Sequence, residues 1–141
     1  MTDQTHVTDA ALIAAAIDAM SRAYAPYSDF AVGAALLDNN GHIHSGVNVE
    51  NAAYPNGICA ETSAIAMMIN TGGSRIERIA VAGGSSDTAD MLCTPCGGCR
   101  QRIREFATAD TIIIIANRDG EQRRFTLADL LPHSFGPENL S

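Results

Sequence analysis

The sequence predicts an α/β fold in which helices cover both faces of one mixed sheet. Three observations carry that expectation. Helical and strand-like segments follow the order helix, strand, strand, helix, strand, helix, strand, strand, helix. Two of the strand-like runs, Phe30 to Leu37 and Thr111 to Ala116, are apolar almost throughout, as strands buried on both sides are. Between the first two strands lies Asp38-Asn39-Asn40-Gly41, whose Asn-Gly pair is a strong hairpin signal. A hairpin followed by alternating helix and strand gives a mixed sheet.

The elements can be justified in order. Residues 1–7 read as a loose terminus. Thr8 suits an N-cap, and Leu12, Ala15, Ala16, Ala19, Met20 and Ala23 form a stripe at helical spacing, predicting a helix to about Tyr24. Ala25-Pro26-Tyr27-Ser28 stops it. After the first strand and its turn, Ile43 to Val49 returns antiparallel, with His42 and His44 on one face, expected to point to solvent. Asn51 to Gly57 is loop, with Pro55-Asn56-Gly57 as turn chemistry. Cys59 to about Asn70 predicts a helix. Ala64, Ile65, Met67, Met68 and Ile69 wrap most of its circumference, so it is expected to be buried, with the Met pair as packing. Gly72-Gly73 ends it. Ile76 to Ala82 is a strand and Gly83 to Asp90 a polar loop. Cys96 to about Phe106 is the next helix, with Pro95 in its first turn. Thr111 to Ala116 carries four consecutive Ile. Asn117 to Gly120 is a turn, Gln122 to Phe125 a short strand and Leu127 to Leu131 a short helix. Residues 133–141 read as a loose tail, and His6 and His133 carry no signal. Residues 1–141 are expected to form one domain.

Composition narrows the function. The net charge is −7, and all nine basic residues are Arg. An acidic surface argues against binding a phosphate backbone and suits a small neutral substrate. No basic n-region precedes an apolar run, and no apolar stretch approaches the roughly 20 residues that span a bilayer. The expectation is therefore a cytoplasmic protein with neither nucleic acid nor membrane as partner.

Two short stretches make chemical sense together: Cys59-Ala60-Glu61 and Pro95-Cys96-Gly97-Gly98-Cys99. Zinc favours tetrahedral thiolate ligation, and three protein ligands leave a fourth position for water. Cys59, Cys96 and Cys99 supply three. Glu61, two residues from Cys59, is better placed to hydrogen-bond the water than to bind the ion. A Cys-x-x-Cys at a helix start gains from free N–H groups and the helix dipole, which favour thiolate. Other readings of the pair are a redox site or a structural zinc half-site. Cys93, Cys96 and Cys99 also open an iron–sulfur run, but that run needs a Cys at position 103, which is Ile. Cys93 is read as a small core thiol.

At these residues the chain resembles cytidine deaminases of the small, homotetrameric kind. The likeness runs from about Tyr24 to Leu131. It is carried by residues 26–34 (Pro-Tyr-Ser-Asp-Phe-Ala-Val-Gly-Ala), 46–54 (Gly-Val-Asn-Val-Glu-Asn-Ala-Ala-Tyr), Cys59-Ala60-Glu61 and residues 94–101 (Thr-Pro-Cys-Gly-Gly-Cys-Arg-Gln). The resemblance implies a three-layer α/β/α sandwich around a five-stranded mixed sheet, a Zn2+ cofactor on Cys59, Cys96 and Cys99, and hydrolytic deamination of cytidine and deoxycytidine. It implies that Glu61 takes a proton from the attacking water, delivers it to N3 and then serves as acid for the departing ammonia. It further implies that Asn48 and Glu50 hold the ribose hydroxyls and that Phe30 lies against the pyrimidine. The Ala60 backbone would contact the base and the Thr94 carbonyl would receive the leaving amine. Tyr54 and Phe135 would reach a neighbouring subunit's pocket in a homotetramer.

Many relatives carry Arg directly after the catalytic Glu, where it donates to the zinc thiolates; here that residue is Thr62. Helix N-terminal amides, helped by Arg100, are expected to offset the charge instead. Rival readings are deamination of another cytosine compound, such as blasticidin S or a nucleic-acid base, and a non-catalytic structural zinc module.

Overall fold

A computed structural model describes residues 7–85 and 92–140. Its elements are α1 (Asp9–Met20), β1 (Ala31–Asp38), β2 (Ile43–Val47), α2 (Ala60–Asn70), β3 (Ile76–Gly84), α3 (Gly97–Glu105), β4 (Ile112–Ala116), β5 (Gln122–Thr126) and α4 (Leu127–Leu130). Short 3-10 turns lie at Tyr54–Asn56 and Pro137–Asn139. The five strands form one sheet in the order β2-β1-β3-β4-β5. Only β3 and β4 are parallel, with Ala80 opposite Ile114; the other three pairs are antiparallel. The expected mixed sheet with helices on both faces is thus observed.

Strand alternation builds the two faces. Ala35 and Leu37 of β1, Ala80 and Ala82 of β3, and Ile114 and Ala116 of β4 pack against Leu12, Ile13, Ala16 and Met20 of α1. Ala34, Leu36, Ile79, Val81 and Ile113 face the other way, onto Ala64, Ile65 and Met68 of α2, Ile103 of α3 and Leu127 of α4. The central strands are covered on both sides, which is why they read as continuous apolar runs.

Two glycines set the helix–sheet spacing. A Cβ on Gly33 would lie 2.1 Å from the Ala16 carbonyl of α1. One on Gly46 of β2 would lie 2.4 Å from Ala64 N and 2.5 Å from Ala60 O, so α2 rests directly on the backbone of β2. The first turn of α2 holds Cys59 and Glu61, so this contact positions them.

The opposite end of α2 is fastened to the β1–β2 hairpin. Asp38 Oδ1 accepts from Asn40 N at 2.8 Å and His42 N at 2.9 Å. Its Oδ2 lies 2.7 Å from His44 Nε2. Thr71, the C-cap of α2, stands 3.4 Å from His44 Nδ1 and donates from Oγ1 to Met67 O at 2.9 Å. Asn39 Oδ1 accepts from Ser74 N and Arg75 N. The expected solvent-facing His pair is corrected here. His42 precedes β2 and is exposed, whereas His44 is buried beneath α2 on an aspartate that is itself buried.

Other boundaries shift for local reasons. The first helix ends at Met20 rather than near Tyr24, because Tyr24 exchanges backbone hydrogen bonds with Asn48 and Glu50. Cys59 and Cys96 are N-caps, not the first helical residues, and Pro95 lies just outside α3. Met67 and Ile69 of α2 are nearly half exposed, so that helix buries one face rather than its whole circumference. Most of the expected loop 83–90 lies outside the described residues, and Gly83 and Gly84 extend β3. The tail is not loose. Gln101 Nε2 donates to Phe135 O at 2.9 Å, Arg104 Nε to Ser134 Oγ at 3.0 Å, and Arg104 pairs with Glu138. No described helix is long and apolar enough to cross a membrane.

Candidate active site

The start of α2 and the start of α3 meet at one end of the sheet. Their N-caps are both cysteines, Cys59 and Cys96, and Cys99 lies one turn into α3. The three sulfurs lie within 4.8 Å of one another, as ligands of a single ion would. All four cysteines of the chain are free thiols, and Cys93 stands outside the cluster of three. The Cys96 sulfur accepts from Cys99 N at 3.4 Å. That helix-start hydrogen bond holds the Cys96 thiol below its usual range. Burial pushes the thiols of Cys59 and Cys99 up, so without a metal those two resist ionisation.

Glu61 is 4% exposed and sits on the first turn of α2 beside the sulfurs. Burial raises its carboxyl above the usual range; its own amide, the Cys99 thiol and the Arg102 charge act the other way. A carboxyl tuned upward holds a proton more readily than a free one, which suits a group that must both take and return it. Above it opens a cavity of about 570 Å³, within the range of small-molecule sites.

The cavity wall contains most of the residues singled out in the sequence: Asn48, Glu50, Tyr54, Cys59, Ala60, Glu61, Thr94 and Cys96. Asn48 is pinned at both ends of its amide, donating to Phe30 O at 2.9 Å and accepting from Val32 N at 2.8 Å. Glu50 is clasped from behind. Its Oε1 accepts from Tyr27 N at 2.9 Å and Ser28 N at 3.2 Å, and its Oε2 from the Ser28 hydroxyl. The Ser28 hydroxyl above all, with those amides, holds the Glu50 carboxyl below its ordinary range. Tyr54 stands at the rim of its own chain's cavity, 74% exposed, with its ring 5.9 Å from that of Tyr27.

These features have their counterpart in known sequences. A family profile described as "Cytidine and deoxycytidylate deaminase zinc-binding region" matches residues 6–115. The chain belongs to this deaminase family. It is similar to the cytidine deaminase of Sporosarcina psychrophila, 41% identical over 130 residues that span 92% of this chain and 93% of that one. It is 40% identical to the cytidine deaminase of Halalkalibacterium halodurans, over 92% of this chain and 96% of the relative. Among solved structures, cytidine deaminase from Burkholderia pseudomallei aligns with a TM-score of 0.84 and 40% identity, over 92% of this chain and all of that one. Cytidine deaminase from Mycobacterium tuberculosis aligns with a TM-score of 0.77 and 37% identity.

Some sequence expectations for this deaminase-family chain place differently. Phe30 is not in the cavity wall; its backbone carbonyl anchors Asn48. Phe135 is also outside its own chain's cavity, and is 57% exposed. Arg100 does not turn toward the sulfurs. Its Nε donates to Pro95 O and its Nη1 to Leu130 O, each at 2.7 Å, so it ties α3 to the end of α4. Ser28, Tyr27, Ile58 and Cys93 line the cavity and were not marked as site residues from sequence. Cys93 contacts Gly83, where a Cβ would lie 3.0 Å from its sulfur. Its thiol is pushed up to about 11, by burial first and then by the nearby Glu61 and Cys96 charges. That makes it an inert wall rather than a nucleophile.

Proposed function

We propose that this chain catalyses hydrolytic deamination of cytidine and deoxycytidine to uridine and deoxyuridine, with zinc on Cys59, Cys96 and Cys99. The observation that carries the reading is three converging sulfurs with a buried Glu61 beside them at the foot of an open cavity. Their donor chemistry fits zinc, since soft thiolates in a set of three leave a coordination position free. When bound, the metal would supply an acidified water and Lewis-acid stabilisation of developing negative charge.

The protein's own groups do the rest. Glu61 accepts a proton from the attacking water as oxygen adds to C4, and sets it on N3 of the base. It then takes the remaining proton from the new C4 hydroxyl and passes it to the amine as the C4–N bond breaks, so water and cytidine become uridine and ammonia. Glu50, held ionised by Ser28, and Asn48, held in one orientation, accept from and donate to the ribose hydroxyls. The backbone of Ala60 and the carbonyl of Thr94 meet the base and its amine. Phe30 reaches the pyrimidine only by a side-chain rearrangement on binding.

The apolar groups left exposed, Tyr54, Ile58, Met67, Ile69 and Phe135, support a homotetramer in which Tyr54 and Phe135 complete a neighbour's pocket. A reducing cytoplasm, which keeps the four thiols free, and a role in pyrimidine salvage fit the same reading. Adding cytidine to zinc-loaded protein tests the activity. Falling nucleoside absorbance with one ammonia released per uridine supports it, and no turnover of cytidine, deoxycytidine or blasticidin S refutes it. A fully active monomer in sedimentation would exclude the tetramer.

A further inference from the structure

Three neutral thiols that close on a dication become three thiolates, so the loaded centre carries one net negative charge. An ionised Glu61 adds a second. A cation close to the cluster therefore favours the loaded state over the empty one. This argument rests on the metal reading of Cys59, Cys96 and Cys99.

Position 62 supplies no such cation. Thr62 carries a buried Oγ1 with no hydrogen-bond partner among the described residues, and it lines a cavity of about 370 Å³ together with Ile65 of α2 and residues of α3. Arg100 is committed to Pro95 and Leu130. Arg102 stands in the wall of that second cavity and makes no hydrogen bond or ion pair among the described residues. Its guanidinium and the Cys96 sulfur both lie close to Gly98. A Cβ built on Gly98 would lie 3.2 Å from Arg102 Nη1 and 3.9 Å from Cys96 Sγ. With hydrogen alone at that position, nothing on Gly98 presses the guanidinium away from the sulfur.

We propose that Arg102 is a charge-balancing positioning residue of the metal centre, its guanidinium reaching past Gly98 to favour the thiolate form of the cluster and so the retention of zinc. Arg102 is otherwise exposed, so water and salt screen its effect, and the signature is an ionic-strength dependence rather than an absolute requirement.

The test is zinc release into excess chelating dye from the loaded parent, Arg102→Gln and Arg102→Lys proteins, at low salt and at about 0.5 M salt. R102Q is expected to release zinc about three- to tenfold faster at low salt, with the gap closing at high salt. R102K, which keeps the charge, is expected to stay near the parent. Equal release from R102Q and the parent at low salt overturns the proposal. So does a defect of equal size in both variants that salt leaves unchanged, because that marks lost packing. A parent that binds no zinc overturns the metal reading itself, and this proposal with it.

Discussion

Replacing Gly46 with Ala tests how the fold aims its chemistry. The added methyl would lie 2.4 Å from Ala64 N and 2.5 Å from Ala60 O, whereas ordinary contact begins at 3.4 Å. Both obstructing atoms are backbone of α2, so no side chain can swing aside. The helix start must retreat from β2 by about 1 Å, and overpacking of this kind costs about 1–3 kcal/mol. For a chain of this length that lowers Tm by roughly 4–12 °C. The same retreat moves Cys59 and Glu61 away from Cys96 and Cys99, and a displacement of about 1 Å at reacting groups can cost on the order of a hundredfold in rate. The matched control is Gly97→Ala, nearer to the ligands in sequence, where a Cβ meets nothing within 4 Å. Thermal unfolding and cytidine turnover would be measured on both. The reasoning fails if G46A keeps parental Tm and kcat/KM, or if G97A is the more damaging of the two.

Three further outcomes are expected. Glu61→Gln should retain stoichiometric zinc by metal analysis yet lose at least about a thousandfold in kcat, since one group performs successive proton transfers. Because burial raises the Glu61 carboxyl, its ionisation costs the empty protein stability as pH rises through that value. The zinc-free parent should therefore lose stability relative to zinc-free E61Q as pH rises above the ordinary glutamate value of 4.5, read by denaturant unfolding. Ser28→Ala should raise KM for cytidine about three- to tenfold with little change in kcat, because it frees Glu50 from its clasp without touching Glu61. Asp38→Asn should destabilise the fold by about 2 kcal/mol near neutral pH. Hydrogen bonds from His44, His42 N and Asn40 N outweigh the burial that opposes ionisation, so the Asp38 carboxyl titrates below 3.8. The difference between parent and D38N is thus full above that pH and fades as acid protonates Asp38, which urea unfolding across pH 3 to 7 would detect.

The convergence of Cys59, Cys96 and Cys99 was legible because ligand chemistry demands few residue types at fixed spacing. The sheet was legible because period-2 burial on both faces leaves apolar runs such as Ile112 to Ile115. What stayed hidden depended on orientation. Arg100 adjoins Cys99 in sequence, but consecutive helical residues point about 100° apart. Arg102, four residues after Gly98, returns to the Gly98 side of α3. His44 looked like a surface residue because nothing in a short strand says which face a helix will cover. Asp38 looked like a turn former and is one, but its second oxygen serves the buried imidazole. Glu50 and Ser28 are 22 residues apart, and only folding makes them a pair.

Helix α2 is held very differently at its two extremities. Beyond Asn70 it is stitched by Asp38, His44 and Thr71, all far from the sulfurs. Its opening turn has no side-chain cap, and Cys59 there looks to a metal for its partner. In a chain that has captured no ion, unravelling will therefore begin at the sulfur end while the distal knot and the sheet stay closed. Amide exchange or proteolysis at residues 58–62 would then report metal occupancy directly, and quality control that senses a frayed terminus could discard unmetallated copies without waiting for global unfolding.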